Sequence, residues 1–174
     1  MEISMQAAMN KRLSRIIGMK VQDFYRAGDM PRIAFEGQGQ SFHLHAQCPV
    51  RLTDENRILI GVNDMYIPGS EADEETFDSD QSFDSLYDES AKAFLAEGGH
   101  RVIAASVSLY GDVSVKLTGG YELTAVPCGT SHCEEWRFFE QGAEKHSVYY
   151  GDGVLEEEQR TGGDAPSTSR AARS

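Results

Sequence analysis

The chain has 174 residues, 40% of them apolar and 25% charged, with a net charge of -12. A chain of this size buries an independent core without staples, and its charge argues against nucleic acid as a partner, because phosphate would be repelled. No apolar run approaches the roughly 18 residues needed to cross a bilayer, so no membrane partner is expected.

In chain order, Met5, Met9, Leu13, Ile16 and Ile17 recur at helical spacing. Lys11, Arg12 and Arg15 lie near the end, where the helix dipole favours cations, and Gly18 follows as a stop. The basic residues come after the apolar ones, the reverse of a secretory leader, and three cysteines make an odd number, so the expected location is a reducing cytoplasm. From Met19 to Tyr66 the period falls to two: Phe42, Leu44, Ala46 and Cys48 alternate with His43, His45 and Gln47. Turn residues at Ala27-Gly28-Asp29, Gly37-Gln38-Gly39 and Asp54-Glu55-Asn56 cut this stretch into short strands whose brief connections demand antiparallel pairing.

An acidic stretch comes next, with nine acids and no base between Glu71 and Glu89, three quarters of the net charge. Residues 69–81 are too poor in aliphatic side chains for a core element and are expected to form a loop. Phe83, Leu86, Tyr87, Ala91, Phe94 and Leu95 trace a second helix, with Ser82 or Asp80 as its cap and Gly98-Gly99 as its end. Strands follow over Val102–Tyr110, Val113–Leu117, Tyr121–Val126, Glu135–Glu140 and His146–Tyr150. Residues 159–174 hold no large apolar side chain and are expected to be a disordered tail.

These elements fall into a repeat. Gly18, Gly28-Asp29, Ile33-Ala34-Phe35, Phe42-His43-Leu44, Cys48, Val50-Arg51-Leu52 and Gly61 are followed, in the same order, by Gly99, Gly111-Asp112, Val115-Lys116-Leu117, Tyr121-Glu122-Leu123, Cys128, Trp136-Arg137-Phe138 and Gly151. The predicted fold is therefore α+β and β-rich. Two similar halves, each a helix followed by an antiparallel meander, make one domain over 1–158; the halves are 1–68 and 82–158, joined by loop 69–81.

Sites of chemistry are sparse. Cys128, His132 and Cys133 supply one Cys-x3-His-Cys cluster where zinc needs two well-spaced pairs, so no metal is expected. Asp78, Asp80, Ser82, Asp84 and Glu89 fit the ligand positions of a calcium loop, but Phe83 stands where its turn requires glycine. No nucleophile elbow, zincin or phosphate-loop sequence occurs, so neither catalytic residue nor cofactor is assigned. His43 and His45 share a strand face, Arg51 and Arg137 match across the repeat, and Trp136 reads as a core anchor.

Around Cys48-Pro49-Val50-Arg51-Leu52, Glu134-Glu135-Trp136-Arg137-Phe138-Phe139 and His146-Ser147-Val148-Tyr149-Tyr150-Gly151, the chain resembles small bacterial proteins, some of them like the immunity proteins encoded beside secreted toxins. The resemblance implies no catalytic residue. Together with the charge it leads to the expectation of a non-catalytic, acidic interaction module. Glu71, Asp73, Glu74, Glu75, Asp78 and Asp80 would meet a basic protein surface such as a toxin's, with Phe77, Phe83 or Tyr66 adding apolar contact. The alternative is a small-ligand binder or enzyme using a cleft between the halves, with His43, His45, Arg51, Arg137 and His132 as candidates.

Overall fold

The computed structural model describes residues 3–159. Helix α1 spans Met5–Leu13 and tightens into a 3-10 turn over Ser14–Ile16. Strands β1 (Lys20–Ala27), β2 (Met30–Gly37) and β3 (Gln40–Ala46) form a meander, followed by the hairpin β4 (Val50–Thr53) and β5 (Ile58–Ile60). The second half repeats the order: helix α2 (Leu86–Glu97), meander β6 (Val102–Val107), β7 (Val113–Leu117) and β8 (Glu122–Ala125), then hairpin β9 (Glu134–Glu140) and β10 (Lys145–Tyr150), with an added edge strand β11 (Leu155–Gln159). Gln159 thus belongs to a strand, and the rest of the expected tail lies outside the described residues.

The fold is α+β and β-rich, with two antiparallel sheets and a helix packed on each, and the sequence repeat is its structural repeat. Gly28-Asp29 turns β1 into β2 as Gly111-Asp112 leads into β7; Arg51 and Arg137 sit in the matching strands β4 and β9. One feature departs from a meander in each half: the hairpins are exchanged. The first sheet runs β1-β2-β3-β9-β10-β11 and the second β5-β4-β8-β7-β6, so each joins a meander from one half to a hairpin from the other. The corners carry proline, Cys48-Pro49 after β3 and Pro127-Cys128 after β8, and a residue without an N–H cannot prolong a ladder.

The helices are exchanged too. α1 lies against β6, where Gln6 donates to the Val107 carbonyl and Asn10 accepts from the Val107 N–H; α2 lies against β1. Where the halves meet, Gly18 N–H donates to Val102 O and Val102 N–H to Met19 O, both at 2.8 Å. A single core runs through both sheets and contains Phe35, Phe42, Leu44, Leu52, Val115, Leu123, Phe138 and Trp136. The Trp136 indole N–H donates across the core to Gly111 O at 2.8 Å.

Three boundaries differ from expectation by more than a residue: the first is β6, which ends at Val107 rather than Tyr110 because Ser108 Oγ accepts from the Tyr110 and Asp112 N–H groups and turns the chain. α2 starts at Leu86, capped by Ser85 rather than Ser82 or Asp80, because Asp88 three residues on returns the bond to the Ser85 N–H and completes a capping box. Phe83 therefore precedes the helix instead of lining it, and is 57% exposed. Ile17, expected on the α1 face, follows the 3-10 turn and is half exposed.

Candidate functional site

The acidic loop is held from beneath by one arginine. Arg26, in β1, is 3% exposed and uses every donor it has. Nε donates to Asp88 Oδ1 at 3.0 Å, and Nη2 to Asp88 Oδ2 at 2.9 Å. Nη1 donates to the carbonyls of Gly28 and Ser79, and Nη2 also to that of Ser82. Ser79 lies in the loop, Ser82 directly after it and Asp88 in the first turn of α2, so a buried guanidinium ties loop, helix and strand together. The neck is closed by Gly69 N–H to Asp84 O and Leu86 N–H to Ile67 O, and Glu89 accepts from both the Ser70 amide and hydroxyl.

On this anchored backbone Glu71, Asp73, Glu74, Glu75, Asp78 and Asp80 are exposed, and Phe77 is half-buried. Asp73 accepts from the Glu75 N–H and Asp78 from the Asp80 N–H, turns that stiffen the loop and leave the carboxylates in water. Among the described residues none of these six carboxylates has an ion-pair partner. Tyr66, Ile67 and Phe83 stand exposed at the neck, 56%, 45% and 57% respectively, giving the acidic rim an apolar patch.

The residues of the cleft alternative divide. His43 and His45 (β3) and Arg137 (β9) come together on the outer face of the six-stranded sheet, where Arg32, His45 and Arg137 are cross-strand neighbours. Phe139 is their hub: its ring stacks on His43 at 5.2 Å and on His146 at 3.9 Å, and meets His45 edge-on at 5.0 Å. Arg137 is held bidentately by Glu134, both bonds at 2.7 Å. Arg51 lies elsewhere, exposed on the second sheet. His132 lies in the link before β9, its ring stacked on Tyr150 and its Nδ1 2.8 Å from Asp152. No cleft between the halves gathers all five.

All three cysteines are free. Cys48 is buried, its thiol pushed up to about 12 by burial and by Glu135, whereas Cys128 is exposed. Among the described residues no cluster of three His, Cys, Asp or Glu side chains has metal-ligating geometry.

Burial, reinforced by Arg32, His43 and Arg137, holds the His45 imidazole down at about 3 against an ordinary value of 6.5. The unfolded chain therefore takes up a proton that the folded chain refuses throughout that interval. Stability rises with pH across it, is complete above 6.5, and declines as pH falls towards about 3. His45→Gln is expected to remove this part of the decline, so that urea midpoints at about pH 7 and about pH 4.5 differ less in the variant than in the parent.

The Arg26 clamp and the ring cluster on the outer face were not visible in the sequence. An arginine in a strand reads as a stem across the sheet with its head in water, and Phe139 and His146 reach His43 and His45 only through the exchanged hairpin. No family model, curated protein or solved structure matches this chain.

Proposed function

We propose that the chain is a non-catalytic protein-binding module that offers its 69–81 loop to a basic protein surface. The observation that supports this reading is the combination of six unpaired, exposed carboxylates with a backbone already fixed by Arg26, so that binding does not pay to order the loop. Opposite charge accelerates encounter and rejects wrong partners, and the exposed Tyr66, Ile67 and Phe83 supply apolar surface to bury once the surfaces meet. A toxic nuclease, basic because it must hold nucleic acid, is the partner class this chemistry fits, in line with an immunity-type role.

The test compares the parent with a variant in which Glu71, Asp73, Glu74, Glu75, Asp78 and Asp80 become their amides, both used as bait in extract of the native cell at low and high salt. The expected result is a basic protein captured by the parent at low salt and lost from the variant. With that protein purified, its association rate falls about tenfold or more on neutralisation. A partner held equally by both baits at both salts overturns the reading.

A further inference from the structure

The internal repeat supplies a control for the outer face of the six-stranded sheet. Both sheets have an outer row of cross-strand neighbours built on equivalent strands. In the second sheet the row is Ser106, Ser114, Thr124 and Arg51; in the first it is Tyr25, Arg32, His45 and Arg137. The arginine of the hairpin strand, Arg51 or Arg137, is common to both. Three small hydroxyl side chains on one face are replaced on the other by a tyrosine, an arginine and a histidine.

The two helices and the second sheet take the opposite face of the first sheet. Phe24 meets Tyr87 and Phe94 there, Arg12 reaches Ser147, and Trp136 bonds to Gly111. On the outer face Ala34, opposite His43, and Val148, opposite Arg137, are nonetheless buried. Arg137 is satisfied by Glu134, but Arg32 has no carboxylate within ion-pair distance among the described residues, in a chain of net charge -12. Its Nε is buried without a hydrogen-bond partner, and its guanidinium carbon lies 6.0 Å from the Tyr25 ring centroid. A positive charge without a carboxylate partner among the described residues thus stands beside Tyr25 and His45. A guanidinium without a carboxylate partner, in a chain of net charge -12, suits a singly charged group and disfavours a polyanion.

We propose that Arg32, flanked on the sheet face by Tyr25 and His45, with Phe139 on the far side of His45, forms a recognition site for a carboxylate attached to a flat apolar group. The carboxylate takes the planar guanidinium fork and the flat group lies against the rings, a pairing of charge-assisted bonds with aromatic contact. The site is independent of the acidic loop, so it stands or falls separately from the protein-binding reading.

The test follows the histidine ring resonances by NMR during titration with benzoate, N-acetylphenylalanine and benzamide. The first probe represents a free aromatic acid, the second a chain-terminal carboxylate, and the third lacks the anion. The expected result is a saturable shift at His45 and His43 with at least one of the acids, and the tighter of the two identifies the source. Benzamide produces none.

Arg32→Gln is expected to weaken binding at least about tenfold. Arg32→Lys, which keeps the charge but loses the fork, should fall between the two. Arg51→Gln, the matching change on the second sheet, should leave affinity as it was. Unfolding midpoints taken alongside separate loss of the site from loss of the fold. Equal shifts with benzamide and benzoate, parental affinity in Arg32→Gln, or no saturation with either acid would overturn the proposal.

Discussion

Replacing Arg26 with methionine is expected to lower the unfolding free energy by about 3–5 kcal/mol, the largest effect of any single substitution considered for this chain. Methionine preserves much of the buried stem but none of the donors. The Asp88 side chain, 10% exposed, becomes a buried anion without its cation. The carbonyls of Gly28, Ser79 and Ser82 lose their partner as well. A paired substitution, Arg26→Met with Asp88→Asn, should recover part of the loss, because much of the cost is the stranded carboxylate rather than the missing attraction. Chemical denaturation reads the stability. Limited proteolysis at Glu71–Glu75 reads whether the loop loosens before the fold is lost, as the clamp at Ser79 and Ser82 requires. Stability within about 1 kcal/mol of the parent would mean that the five-donor network carries no net weight.

The second large effect belongs to a glycine with a built-in counterpart. Gly111→Ala is expected to cost about 3 kcal/mol or more, whereas Gly28→Ala, at the equivalent turn of the other half, should cost about 1 kcal/mol. Both glycines hold a positive φ, 83° at Gly111 and 62° at Gly28, which penalises any side chain. They differ in what a methyl group would meet: open space at Gly28, but the ring of Tyr149 at Gly111. Tyr149 is buried and stacks on Trp136, whose indole bonds to Gly111 O, so it has nowhere to retreat without breaking that arrangement. Urea midpoints of the two variants measure the difference directly; equal losses would show that the ring gives way freely.

Gly28 and Gly111 also show why so much of the fold was legible. Each marks a turn that needs left-handed backbone, and such punctuation stays in register when side chains diverge, so the repeat could be read through Gly-Asp pairs, short alternating runs and corner cysteines. The α2 cap was misplaced even though Ser85 and Asp88 have capping-box spacing, because an acid-rich stretch offers several equally good caps. β11 was missed because Leu155 is the one large apolar residue in an edge strand of glutamates held by backbone pairing along β10. The hairpin exchange was invisible for a different reason. Alternation tells which side of a strand is buried but not which strand lies beside it, and the β3–β9 and β4–β8 pairings join residues far apart in the chain. The exposure of the loop acids followed from composition, whereas the Arg26 anchor came from a residue that looks like any other strand arginine.

Exchange of the hairpins also orders events during synthesis. When the first half has left the ribosome, β3 presents an open edge awaiting β9, and the β4–β5 hairpin has no β8 to join. The nascent chain must carry Phe42, Leu44 and Leu52 without their eventual cover until most of the message has been translated. Such distant pairings fold slowly and leave sticky edges exposed meanwhile. Residues 1–68 carry eight basic and seven acidic side chains, so the nascent chain gains the negative charge that repels its own copies only once the Glu71–Glu89 segment has been made.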